Sequence, residues 1–322
     1  MEHSILAPST VSLLRGRLNR DMLASASALS LPQIRGLVDS YYQVQELRKA
    51  GGNQRLAVAQ GKDAHPLVDY VVDQLLALEK DIQRMMAVAT DAHVPSRWCK
   101  SFIGVGPVLA AGLLAHIDIK IARTPSAVWR FAGYDPTTTW EKGQRRPWNA
   151  RLKVLCFKVG DSFKKFSNHR HASIYAQLYR ERKALEVART EGGLHREVAE
   201  KMLASRRWKP DTVAAQAYRQ GRLPPGQLDA RARRYAVKIF LEHFWRVMYE
   251  VEFGKPAMLP YIVEYDPETH GPGYLATPHW PEIPDKFHVD EEDEESAEAS
   301  DETPTPEELV QARKRRTRGP AA

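Results

Sequence analysis

The first regular run of apolar residues follows Leu31-Pro32, where Ile34, Leu37, Tyr41 and Val44 recur at spacings of 3, 4 and 3. This pattern predicts a helix ending at the Gly51-Gly52 pair. After His65-Pro66, Val68, Val71, Leu75, Leu78, Ile82 and Met85 alternate spacings of 3 and 4, a heptad seam. Two such helices joined by a Gly/Gln-containing linker predict an antiparallel hairpin or short coiled coil over 31–94. Its stripe serves either the protein's own core or self-association through 67–86. Further on, Ala150 to Phe166 reads as a basic amphipathic helix. Residues 229–252 read as a long helix with Ala236, Ile239, Phe240, Phe244, Val247, Met248 and Val251 on one face, and Arg231, Arg233, Arg234 and Lys238 crowding its first half.

Between these elements the pattern weakens. Residues 1–30, rich in Ser, Ala and Leu, predict a loosely ordered arm. The polar stretch 191–225, punctuated by Gly192-Gly193, Pro210 and Pro224-Pro225, reads as an insertion within a domain spanning 95–252. Residues 253–284 hold seven prolines and the aromatics Tyr261, Tyr265, Tyr274 and Trp280, which predict an extended strap. Residues 285–322 are of low complexity and predict a disordered tail, acidic and then basic.

Charge divides the chain in the same place. The formal charge is +7 over 322 residues, but from Asp285 onward twelve acidic residues face six basic ones, so the tail carries −6 and the body before it +13. A body this basic predicts a polyanionic partner, for whose surface the tail competes. The hydrophobic fraction of 43% excludes wholesale disorder. The longest uncharged run, Ser101 to Ile117, is 17 residues interrupted by Gly104, Gly106 and Pro107, too short and broken to predict a membrane span. Cys99 and Cys156 have no spacing that suggests a disulfide framework or zinc site, and with no recognisable secretion signal a reduced, cytoplasmic setting is expected.

The most specific local signal is Phe102-Ile103-Gly104-Val105-Gly106-Pro107-Val108, followed by a small-residue helix. An apolar helix end meets two glycines able to take positive φ, and Pro107 then stands in the first turn of the next helix, where a missing N–H costs nothing. The stretch has the form of a helix-hairpin-helix element. The N–H groups around Gly104, Val105, Gly106 and Val108 would form an anion site that reads phosphate rather than base sequence. The fold class expected is therefore predominantly α, a helical hairpin or coiled coil followed by a helix-hairpin-helix-containing domain. Downstream, from Trp140 to Arg189, thirteen basic residues face four acidic ones. Trp140 and Trp148 interleave with Lys142, Arg145 and Arg146, with Arg151 and Lys153 just beyond, the pairing of cation and aromatic that suits nucleic-acid backbones and unstacked bases.

These residues also resemble a family. Gly104 to Ala111, then Thr124-Pro125-Ser126-Ala127-Val128-Trp129-Arg130-Phe131-Ala132-Gly133-Tyr134-Asp135-Pro136, a basic loop and a basic helix, are similar to the C-terminal domain of the insertion-sequence 110/116/902 transposases. The helix Arg231 to Tyr249 resembles the family's terminal helix, and the heptad helices match the position of its coiled coil. Thr124 as N-cap, Pro125 in the first turn and Gly133 as stop give the Pro-Ser-Ala helix a local basis. The resemblance, covering 34 to about 250, implies DNA, or RNA, as partner, a role in transposition or site-specific recombination, and self-association. Two departures accompany it. The residues before Pro95 predict helices where the family has a magnesium-binding nuclease domain, and the loop that holds the family's serine nucleophile reads Thr137-Thr138-Thr139.

Three classes of function follow. The chain is a DNA-binding protein, contacting phosphate through the residues named above; or an active recombinase using one of the three threonines, with nuclease carboxylates supplied in trans; or a helical scaffold for an acidic protein partner. No resident cofactor is expected, and magnesium enters only with catalysis. Asp118, Asp135, Glu141 and Asp161 are the carboxylates nearest the basic region, where a pair would hold magnesium, but Asp118 also suits the end of the hairpin's second helix and Asp135 the turn before Pro136. His169, His171 and Cys156 lack a fourth ligand at zinc spacing, and His116 in the apolar hairpin helix reads as structural.

Overall fold

The computed structural model describes residues 18–60, 66–259, 268 and 274–284. Most of the N-terminal arm, the acidic tail at 285–322 and part of the strap lie outside them. Among the described residues the protein is predominantly α-helical, with eleven α-helices and no strand. They are α1 (Arg20–Ser25), α2 (Leu31–Gln60), α3 (Pro66–Asp91), α4 (Val94–Lys100), α5 (Pro107–His116), α6 (Pro125–Phe131), α7 (Ala150–Lys165), α8 (Ile174–Glu191), α9 (Arg196–Ala204), α10 (Val213–Arg219) and α11 (Pro225–Phe253). They belong to two compact units: the described residues through Asp39 together with Ile82–Ile283, and the described residues from Ser40 to Asp81.

In the smaller unit the stretches of α2 and α3 pair antiparallel, with Gln45 and Arg48 against Glu79, Gly51 against Val72, and Arg55 3.8 Å from Asp69. Helix α2 does not stop at Gly51-Gly52 but continues to Gln60. The approach of its partner explains why: a Cβ on Gly51 would lie 3.1 Å from Val72 Cγ2, so the glycine admits the close packing that offsets its helix cost of about 1 kcal/mol. The heptad stripe is likewise half right. The buried face of α3 carries Val72, Glu79, Ile82, Met86 and Ala89, while Val71 and Leu78 are 53% and 46% exposed. Glu79 sits inside because Gln45 and Arg48 meet it; burial pushes its carboxyl up, and the hydrogen bonds to Arg48 and Gln45 overcome that and hold it below the usual range.

The larger unit is organised on α11, whose residues Phe240 to Met248 are all buried, as a helix covered on every side requires. Trp98 of α4 stacks on Phe240 and Phe244 at 5.5 and 6.3 Å, and Phe102 meets Tyr175 of α8 edge-on at 5.1 Å. Residues 274–283 lie over this core without regular structure. Trp98 Nε1 donates to the Pro278 carbonyl at 2.7 Å, His279 stacks on Phe102 at 4.7 Å, and Trp280 Nε1 donates to Glu250 at 2.7 Å. The polar stretch at 191–225 is more than a connector. Its helices α9 and α10 bury Ala199, Tyr218 and Leu223 with Leu228 in a small core of their own.

Candidate nucleic-acid interface

Helix α4 turns into α5 through Ser101–Gly106, the predicted hairpin. Of its two glycines one takes positive φ: Gly104 at +85°. Its carbonyl accepts from Ser162 Oγ of α7, and a Cβ there would fall 2.2 Å from that oxygen and 2.6 Å from the Phe166 ring. Gly106, at φ −83°, is exposed and has nothing within 4 Å of a Cβ, so its expected left-handed turn is not used. Gly106 N-caps α5 with no side-chain bond and Pro107 opens the helix, which leaves the N–H groups of Val108 and Leu109 at its first turn outside the helical ladder. Val105 is buried. At the other end of α5, Arg35 Nε donates to the Ala115 carbonyl at 2.9 Å, a cation where the helix dipole is negative. His116 is buried there, and burial, then Arg35, lowers its pKa.

The basic loop hangs between two fixed points. Thr124 Oγ1 caps α6 as expected, at 3.2 Å from the Ala127 N–H, and the helix runs into Gly133 at φ +72°. Asn149 N donates to the Phe131 carbonyl at 2.8 Å, and the Asn149 side chain caps α7. A Cβ on Gly133 would lie 2.9 Å from Trp148 and 3.0 Å from the Lys153 stem, so the glycine seats both side chains. Trp140 meets Trp148 edge-on at 6.3 Å and donates to the Gln144 carbonyl at 2.8 Å. The Arg146 guanidinium lies 5.3 Å over Trp140, and the Lys153 ammonium 4.0 Å over Trp148. Lys142 and Arg145 are exposed in the same loop. Burial, then repulsion from Arg234 and Arg146, pushes the Lys153 pKa down, and among the described residues none of these three cations stands in an ion pair. Arg234, from α11, is a member that the reading by segments missed; its place in the Arg231–Lys238 cluster was the available signal. Arg151 is differently engaged, in an ion pair with Asp39.

The structure does not bring the hairpin turn and the tryptophan loop together. Along α7, Gly112 and Gly104 pack against Leu155, Ser162 and Phe166, whereas Trp148 packs against Lys153. At about 100° per residue Ser162 lies half a turn from Lys153, on the opposite face, and about 14 Å along the axis. The two predicted phosphate contacts are separate.

The threonines stand in the loop with their chemistry committed or unassisted. Thr137 Oγ1 donates to Asp135 at 2.7 Å; that bond, the Thr137 N–H and Arg130 hold the Asp135 carboxyl well below its usual range, which makes it a poor base. Thr138 is half-buried and Thr139 exposed. Asp118 accepts from Lys120 N in the turn after α5, and Asp161 faces Arg233 at 3.6 Å. Glu141 is exposed, both cysteines are buried, and His169 and His171 stand with ring centroids 5.8 Å apart. Among the described residues no three or more His, Cys, Asp or Glu side chains gather as metal ligands, and no helix is long and apolar enough to cross a membrane. Comparison of the chain with protein-family models, curated proteins and solved structures returns no match.

Proposed function

We propose that the chain binds DNA through its phosphate backbone, with the α6–α7 loop and the start of α7 as principal contact. The observation that carries this reading is the placement of Arg146 over Trp140 and of Lys153 over Trp148, with Arg234 repelling Lys153 and no ion pair to any of the three among the described residues. Like charges held together cost folding free energy, and a polyanion relieves that cost. The indole of Trp140, 36% exposed, adds stacking for a base that leaves the helix, as a single strand of DNA or RNA offers. The hairpin amides give a second, separate phosphate contact, and Lys142 and Arg145 extend the first. The resemblance to insertion-sequence transposases supplies the context, transposition or site-specific recombination. Self-association is part of this reading, because Leu67, Val71 and Leu78 on one side of α3 are 67%, 53% and 46% exposed.

Replacing Arg146, Lys153 and Arg234 by glutamine should weaken binding to arbitrary duplex or single-stranded oligonucleotides at low salt by roughly a hundredfold. The slope of log K against log salt should shrink by about 2 to 3. Arg151→Gln, which only frees Asp39, should leave that slope nearly unchanged. Fluorescence anisotropy across a salt series checks both, and absence of any binding by the wild type at low salt would sink the proposal in favour of an acidic protein partner. Deleting 285–322 should tighten nonspecific binding by removing −6 of competing charge. Equal affinity would make the tail a solubilising appendage only.

A further inference from the structure

A cleft of about 640 Å³ opens beside the C-terminal turn of α7 and the outer face of α8, with Lys164, Ser167, Asn168, Tyr179, Arg180, Lys183 and the carboxylate of Glu191 as its polar lining. Its floor is built. The buried Asp229 accepts from Tyr179 Oη at 2.6 Å and lies 3.3 Å from Lys164, 3.7 Å from Lys183 and 3.0 Å from Arg233. Arg233 also faces Asp161 at 3.6 Å, so the three cations meet two carboxylates and keep an excess of one positive charge. Arg180 is exposed and meets no carboxylate among the described residues. Ser167 gives its hydroxyl proton to the Lys164 carbonyl at 2.8 Å, Asn168 adds a neutral amide, and the cations Lys164, Arg180 and Lys183 outnumber Glu191 in the lining, a balance that suits a phosphate.

Its position relates it to the tryptophan loop. Lys164 is eleven residues after Lys153, which on a helix is three turns and about 20°, so the two lie on one face of α7 about 16 Å apart. Helix α11 runs antiparallel along this face. Asp229 meets Lys164, Arg233, paired with Asp229 and Asp161, lies over Phe157 at 4.5 Å, and Arg234 acts on Lys153, so arginines of α11 line the way between the two ends. The hairpin is on the other face.

We propose that this cleft is a second phosphate station, and that one nucleic-acid chain runs along the α7–α11 seam from the Trp140–Trp148 pair to Lys164, Arg180 and Lys183. This rests on the nucleic-acid reading above and adds its direction and second end. The track continues past the tryptophans toward the cleft, not toward the hairpin.

The test uses the full chain and fluorescein-labelled oligothymidines of about 4 and about 20 nucleotides, short and long against the sites such proteins cover. In Lys164→Gln/Lys183→Gln, and separately in Arg180→Gln at its exposed position, the long oligonucleotide should bind more weakly, about tenfold in the double variant. The salt slope should fall by about 0.7 for each cation removed, the value for single strands. The short one should bind these variants as it binds the wild type and quench the same tryptophan fluorescence. If the long oligonucleotide keeps its wild-type affinity and slope in both variants, the cleft is off the track and the proposal falls while the nucleic-acid reading stands. If inorganic phosphate fills the cleft without displacing the long oligonucleotide, the shared track is overturned as well. If the wild type binds neither length at low salt, the nucleic-acid reading itself is lost.

Discussion

Replacing Gly104 by alanine should destabilise the larger unit by about 3 kcal/mol, while the same change at Gly106 should shift stability by less than about 0.5 kcal/mol. The two glycines look alike in the sequence but do different work. At Gly104 the backbone is left-handed, φ +85°, which costs an L-residue about 1–2 kcal/mol. The added methyl also falls 2.2 Å from Ser162 Oγ and 2.6 Å from the Phe166 ring, and overpacking of this kind costs about 1–3 kcal/mol more. Removing the Ser162 hydroxyl should not rescue the variant, because the ring remains. At Gly106 the backbone is one any residue adopts and the space is open. Urea midpoints of the two variants measure the contrast; equal losses would mean that the hairpin turn is not held as described.

Between pH 7 and pH 4 the protein should lose about 3 kcal/mol of stability through His243 alone. The ring is 1% exposed between the Tyr175 hydroxyl, at 2.8 Å from Nδ1, and the Leu275 carbonyl, at 3.0 Å from Nε2. A carbonyl only accepts, so Nε2 carries the proton, and Nδ1 of the neutral ring accepts from the hydroxyl. Burial, aided by Arg246 and opposed by the bond to Leu275, pushes the pKa down to about 4. The unfolded chain protonates this residue near its ordinary 6.5, so unfolding takes up a proton anywhere between the two values. The contribution is complete above about 6.5 and lost as pH falls through about 4, at about 1.4 kcal/mol for each tenfold in proton affinity. His93, His116 and His279 are shifted in the same direction and add to the slope. Glu186, held low by Arg182 and Arg231 despite burial, and Asp229, held low by the Tyr179 hydroxyl and then Lys164, act in a separate window below about 4. His243→Gln should remove the His243 share of the acid slope in urea titrations at pH 7, 5.5 and 4. An unchanged slope would show that the ring is not the buried neutral group described.

Much of this was legible in the residues themselves. The 3-and-4 spacing located the long helices, Thr124 and Pro125 located a helix start, and Gly104-x-Gly-Pro located the hairpin, because each depends on neighbours in the chain. What depended on neighbours in space was not legible. The continuation of α2 through Gly51 rests on Val72, and the outward turn of Val71 and Leu78 rests on which residues of α2 face α3. Thirteen cations between Trp140 and Arg189 are visible as a count. That Lys153 and Lys164 share a face follows from their spacing along the helix, but that the hairpin packs on the opposite face, and that Arg234 acts on Lys153, follows from where α5 and α11 pack on α7. The pairing of Arg151 with Asp39, 112 residues earlier, has no local trace.

The excursion through α9 and α10 leaves α8 and rejoins α11 at almost one point, since Leu223 N donates to Thr190 Oγ1 at 2.9 Å. For a segment whose ends already touch, length is thermodynamically cheap: doubling a flexible loop costs only about 0.6 kcal/mol of closure entropy. This is the place in the chain where evolution or an engineer can lengthen, shorten or replace a whole module while the helices that carry the tryptophans and lysines keep their register.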